Sequence, residues 1–148
     1  MFDIPGYASY DFYRDSRGGG IKIYVLENIK CKIIEIPVTT CCETLLLSAN
    51  VPTLGNIRIC GIYRPPQNSV PLFIDYLEQV LNENSGHKLF ILGDMNINTL
   101  VQNNITLMYN DMMHSFSMNN MIQNISTYVK PNSDTNSSTS CLDHICII

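Results

Sequence analysis

Three short stretches of this chain pair polar side chains with a rigid setting. Ile91-Leu92-Gly93-Asp94-Met95-Asn96 places a carboxylate just past an apolar run and an amide two positions later. In an extended backbone, residues two apart face the same way. Asp94 and Asn96 could then act together past the carboxyl end of a buried strand, where open α/β sheets build their sites. A carboxylate with an amide can orient a water and hold a phosphate or a hydrated cation. The same residues also make a good Asp/Asn turn, and local sequence favours that plainer reading. Tyr63-Arg64-Pro65-Pro66 closes another strand. There Arg64 could pair with a phosphate and Tyr63 donate a hydrogen bond to one, or the ring could rest on the core rim with the Arg in solvent. In Asp143-His144 the two side chains of a strand face opposite sides, so they form no contiguous dyad, and one of them is expected to face a polar site. A buried carboxylate there would need a partner.

Other candidates fall away on spacing. Gly18-Gly19-Gly20 lacks the Lys and Ser/Thr of a P-loop and leads into a strand, which fits a hairpin connection better than a phosphate cradle. In Cys141-Leu142-Asp143-His144-Ile145-Cys146, alternation sends Cys141, Asp143 and Ile145 one way and His144 and Cys146 the other, which makes a poor metal-ligand set. His87 and His114 lie at element ends and read as surface residues.

These groups need a frame to hold them. Tyr7-Ala8-Ser9-Tyr10-Asp11-Phe12-Tyr13 alternates, residues 14–20 interrupt it, and Ile21-Lys22-Ile23-Tyr24-Val25 alternates again, a hairpin pattern. Apolar runs over residues 31–38 and 44–49 follow. Ile57-Arg58-Ile59-Cys60-Gly61-Ile62-Tyr63 then stops before Pro65-Pro66, which cannot continue a central strand. About five strands thus precede the first helix. Leu72, Phe73, Tyr76, Leu77, Val80 and Leu81 recur at helical spacing, with Pro71 suited to the first turn. Lys88-Leu89-Phe90-Ile91-Leu92, closed by Gly93, reads as a strand buried on both faces. A second helix is predicted over residues 104–114 with Ile105, Leu107, Met108 and Met112 inward, then a loop over 130–140 and a final strand over 142–148.

The chain has 148 residues, 45% hydrophobic and 15% charged, which suffices for one domain with a core and is too short for two. It holds no run of about 18 apolar residues, and Met1-Phe2-Asp3-Ile4-Pro5 lacks the basic-then-apolar order of a signal peptide. The reading is therefore of an intracellular chain, neither secreted nor membrane-spanning. A net charge of −4 with nine scattered Lys and Arg argues against holding nucleic acid by a dense basic surface, so any such role must rest on a site. The six cysteines contain no C-x-x-C pair and sit mostly in apolar stretches, as buried thiols do. The ending Ile145-Cys146-Ile147-Ile148 stops inside an apolar strand, the pattern of a piece cut from something longer.

The order of the signals adds to each of them. Arg17-Gly18-Gly19-Gly20-Ile21-Lys22-Ile23-Tyr24-Val25, Gly61-Ile62-Tyr63-Arg64-Pro65-Pro66, Ile91-Leu92-Gly93-Asp94-Met95-Asn96 and Ser140-Cys141-Leu142-Asp143-His144-Ile145 follow one another along nearly the whole chain. In that order they resemble the endonuclease/exonuclease/phosphatase superfamily. More narrowly, they are similar to the apurinic-type endonuclease domain of jockey-like retrotransposons that lack long terminal repeats. The resemblance implies an α/β fold, a fragment of a two-sheet sandwich layered α/β/β/α. It also implies phosphodiester hydrolysis with a divalent metal, usually Mg2+, that nicks DNA to prime reverse transcription. A reverse transcriptase in the same parent polyprotein and a nuclear location belong to that implication.

Carried onto this chain, the resemblance makes Asp94 the residue that positions or deprotonates the attacking water, and Asn96 the one that orients Asp94 and touches the scissile phosphate. Tyr63 becomes a phosphate contact and Asp143 the aspartate that holds a catalytic histidine, with His144 at a variable neighbouring position. Arg64, Lys130 and Asn132 become DNA contacts. The family's Asn- and Glu-bearing first strands would lie before Met1, and its Ser-Asp-His motif would lie past Ile148. No metal ligand is therefore retained, and the expectation is an incomplete domain over residues 1–148 with little hydrolysis and poor solubility. Two other functions stay open: a superfamily enzyme acting on a small phosphate ester, and a non-catalytic remnant.

Overall fold

Apolar alternation in the first half of the chain becomes sheet. In the computed structural model, which describes residues 3–13, 20–122, 125–130 and 138–148, β1 (Tyr7–Phe12) and β2 (Ile21–Leu26) form an antiparallel hairpin. The connecting residues Arg17, Gly18 and Gly19 lie outside the described residues. β3 (Lys30–Ile34), β4 (Glu43–Val51) and β5 (Gly55–Tyr63) follow as an antiparallel meander. β3 ends four residues earlier than the apolar run suggested, with Val38 fully exposed.

α1 (Val70–Glu83) then carries the chain across to β6 (Lys88–Asp94), which pairs with β5 in parallel. Ser69 caps the helix, its hydroxyl accepting from the Leu72 N–H, and Pro71 sits in the first turn as predicted. The buried stripe is Phe73, Ile74, Tyr76, Leu77, Val80 and Leu81, so Ile74 points inward in place of Leu72, which is exposed. Fully burying a side chain such as Phe73 or Leu77 contributes about 1.5–3 kcal/mol.

α2 (Asn104–Ser115) corrects the predicted stripe. Thr106, Tyr109, Met112 and Met113 are buried, whereas Ile105, Leu107 and Met108 are exposed. Asn103 caps the Thr106 N–H and buried hydrogen bonds hold the Tyr109 hydroxyl, so polar tips with partners override the apolar phase read from sequence. β7 (Asn119–Asn120) and the hairpin of β8 (Tyr128–Lys130) with β9 (Ser138–Ser140) were not predicted. β10 (Asp143–Ile147) is the final strand.

The main sheet has six strands in the order β3-β4-β5-β6-β10-β7. Leu46, Cys60, Ile62, Leu89, Ile91 and Cys146 face both helices and form the larger core with them. On the other face Leu45 and Leu47 pack against Val25, Ile21 and Ile23 of the β1–β2 hairpin. A Cβ at Gly61 would come within 3.0 Å of Ile21 and 3.2 Å of Ile23, so this glycine lets the hairpin approach β5. The same face continues onto β6 and β10 as the partly exposed pairs Leu92–Ile145 and Phe90–Ile147. Five of the six cysteines are buried and all six are unbridged. No helix among the described residues is long and apolar enough to cross a membrane.

Candidate active site

Sheet register assembles the site. Tyr63, last in β5, lies opposite Asp94, last in β6, and Asp94 lies opposite Asp143, first in β10. Directly opposed residues share a face, so the three side chains form one row on the hairpin side of the sheet. Glu43 extends the row on the far side of Tyr63 and accepts the Gly20 N–H at 2.6 Å, tying the glycine-rich stretch to it. An open groove of about 520 Å³ runs beside the row, lined by Ile21, Ile23, Gly61, Tyr63 and Leu92.

The chain reaches Asp94 through Gly93, whose φ is +146° and where a Cβ would collide with the Ile62 carbonyl. Only glycine permits this close approach of β6 to β5. The chain leaves through Asn96, a non-glycine residue at φ +51°. Its backbone N–H donates to Asp94 Oδ1 at 3.0 Å and its Nδ2 donates to the Arg64 carbonyl at 2.8 Å. Burial pushes the Asp94 carboxyl above its ordinary pKa, the Asn96 backbone N–H opposes this, and the Asp143 charge adds to the rise.

Arg64 does not face a ligand. It is 1% exposed, and its guanidinium donates to Met95 O at 2.7 Å, Asn96 O at 2.7 Å, Asn68 O at 2.6 Å and Pro65 O at 3.2 Å. This corrects its assignment as a DNA contact: its donors are spent on backbone carbonyls, two in the loop that carries Asn96 and two in the segment that follows β5. Lys130 is the last residue of β8, and Asn132 lies outside the described residues.

Two residues not singled out from sequence fix the start of β10. Thr127 Oγ1 accepts the Leu142 and Asp143 N–H groups at 2.9 and 3.1 Å. Asn98 Oδ1 accepts the Cys141 N–H at 3.1 Å and the Leu100 N–H at 3.2 Å. Three successive amides, of Cys141, Leu142 and Asp143, are thus held by side chains at the entry to β10. The repeat Asn96-x-Asn98 was the one sequence signal for this.

The opposite-face reading of Asp143-His144 holds, with Asp143 exposed on the row and His144 buried among the helices at 1% exposure. None of the three histidines joins the row, since His87 precedes β6 at the other end of the sheet and His114 lies in the last turn of α2.

No family model matches the chain, and no curated protein matches it. Solved structures do. The chain is similar to the endonuclease domain of TRAS1, a telomere-specific non-LTR retrotransposon, with TM-score 0.75 and 10% identity over 97% of this chain and 68% of that one. An endonuclease/exonuclease/phosphatase family protein from Bacteroides thetaiotaomicron matches with TM-score 0.62 and 15% identity over 97% of this chain and 60% of that one. Truncated Caenorhabditis elegans TDP2 matches with TM-score 0.57 and 11% identity, over 95% and 61%.

The chain has the endonuclease/exonuclease/phosphatase fold. It spans 60–68% of the length of these structures. The resemblance read from the sequence implies Mg2+, and the described residues offer few ligands for that ion. Among the described residues no three His, Cys, Asp or Glu side chains converge, and Asp94 and Asp143 supply two carboxylates. Two carboxylates do not make a Mg2+ cage on their own.

Proposed function

We propose that the row Tyr63–Asp94–Asp143, with Asn96, binds a phosphodiester and positions the water that hydrolyses it, with DNA as the substrate. The observation that supports this most is the register that sets Tyr63, Asp94 and Asp143 side by side, with Tyr63 lining the groove. Asp94 accepts a proton from the water, and its raised pKa makes it a better base than an exposed carboxylate. Asn96 holds Asp94 through its backbone N–H and its side-chain amide, and the same amide donates to the Arg64 carbonyl, so Asn96 fixes the carboxylate beside the phosphate. The Tyr63 hydroxyl donates to another phosphate oxygen. Asp143 acts on Asp94 by charge across the strand pair, since no histidine of this chain lies beside it.

Mg2+ belongs to the proposal as the partner of the substrate phosphate, as does a reverse transcriptase in the parent polyprotein, and the likeness to the endonuclease domain of a non-LTR retrotransposon supports DNA as the substrate. With no histidine on the row, turnover is expected to be slow, since a missing general acid or electrostatic group typically costs about 10²–10⁴ in rate. The test is nicking of supercoiled plasmid in Mg2+ and in chelator, with Asp94→Ala alongside. Slow nicking that needs Mg2+ and is lost in Asp94→Ala supports the reading. Nicking that survives Asp94→Ala overturns it. No nicking together with no duplex binding at low salt would favour a non-catalytic protein, a reading to which the net charge of −4 and the row without histidine also point.

A further inference from the structure

Behind the row, on the helix side of the sheet, lies a hydrogen-bonded pair that the proposed chemistry does not use. The Tyr109 hydroxyl is 2.8 Å from His144 Nδ1, and both residues are 1% exposed. On the other side of the imidazole, Nε2 is 3.2 Å from the Ile97 carbonyl. A carbonyl only accepts, so Nε2 carries the proton, Nδ1 is a lone pair and the Tyr109 O–H donates to it. Burial holds the His144 pKa below its ordinary value, which agrees with a neutral ring in one fixed tautomer.

The carbonyl that His144 holds follows Asn96 directly. The loop after β6 has three successive carbonyls under side-chain control: Met95 O and Asn96 O by Arg64, and Ile97 O by His144. A non-glycine residue at positive φ persists only where its surroundings over-determine it, and Asn96 at φ +51° lies between these two clamps. We infer that Tyr109 and His144 are positioning residues for the site, in which the α2 tyrosine fixes the imidazole so that its Nε2–H pins Ile97 and holds Asn96 in the conformation that orients Asp94. The roles of Asn96 and Asp94 in this inference rest on the proposed function, whereas the strut itself does not.

Tyr109→Phe removes one oxygen and leaves the ring in the core. Amide hydrogen exchange and imidazole nitrogen spectra of the labelled full chain read the result directly. The expected outcome is loss of the single His144 tautomer and exchange roughly five- to tenfold faster at the Asn96 N–H, with the Ile59 amide in β5 unchanged. His144→Gln, which can still donate to the Ile97 carbonyl, should keep Asn96 closer to wild type than His144→Leu does. Asn96 protection equal to wild type in folded Tyr109→Phe overturns the inference, as does equal loss at Ile59, which would mean a general loosening of the core. Where the wild type cleaves bis(p-nitrophenyl) phosphate, Tyr109→Phe should lower kcat and leave KM unchanged. Absence of cleavage by the wild type would count against the hydrolase function alone, because the exchange measurement still decides the strut.

Discussion

Replacing Arg64 by methionine keeps an unbranched apolar stem and removes the guanidinium that serves four backbone carbonyls at 2.6–3.2 Å. Hydrogen bonds from a charged donor contribute about 1.5–3 kcal/mol each, and the three shorter ones would sum to roughly 4.5–9 kcal/mol if nothing relaxed. The loop can shift and water can reach Asn68, so about 3–5 kcal/mol is the expected loss, the range for breaking a buried charged pair. That is a large part of the roughly 5–15 kcal/mol that holds a domain together. Urea unfolding followed by circular dichroism suits a chain with no tryptophan. Arg64→Lys should fall between, because an ammonium on a shorter reach can serve fewer of the carbonyls. A structural role for Arg64 is ruled out if Arg64→Met is within about 0.5 kcal/mol of wild type and instead weakens duplex binding with a smaller salt dependence, the behaviour of a phosphate contact.

Gly93→Ala should cost more than about 3 kcal/mol or prevent folding, because the added Cβ meets the Ile62 backbone and φ is +146°; soluble yield and the urea midpoint report it. Asp94→Asn should abolish hydrolysis yet raise stability at neutral pH. The folded-state pKa of Asp94 lies above its unfolded value, so the folded protein binds that proton more tightly and stability falls as pH rises through the window between the two; the variant should lack this fall in urea titrations across acid to neutral pH. Ile145→Thr should reduce fluorescence of a bound apolar dye and raise soluble yield, since Ile145 is 36% exposed and opposes Leu92 on the partly exposed sheet face.

Sequence showed β1 to β6 and β10, the first helix and the two strand ends at Tyr63 and Asp94, because period and punctuation are local, and it missed the short strands β7, β8 and β9. It could not show that these ends meet. Residues 63, 94 and 143 come together only through the pairings of β5 with β6 and β6 with β10, which are long-range. Arg64 was misread for a related reason. An Arg at a strand end is ordinarily solvated, and only the fold of the following loop onto it turns its donors inward. The stripe of α2 was misphased because Thr106 and Tyr109 enter the core with partners, Asn103 and His144, that no hydrophobic pattern records. Thr127 lies in a polar stretch with no period, and its two backbone partners are 15 and 16 residues away.

The most direct test of the account is a titration of the labelled chain with a short DNA duplex carrying a non-hydrolysable phosphodiester, in Mg2+, followed by backbone amide shifts. Saturable shifts centred on Tyr63, Asp94, Asn96 and Asp143 are expected, and they should disappear in Asp94→Ala while the fold is retained. Shifts confined to other surfaces, such as Lys30 and Lys32 on the edge strand β3, or no shift at the row at saturating duplex, would contradict it.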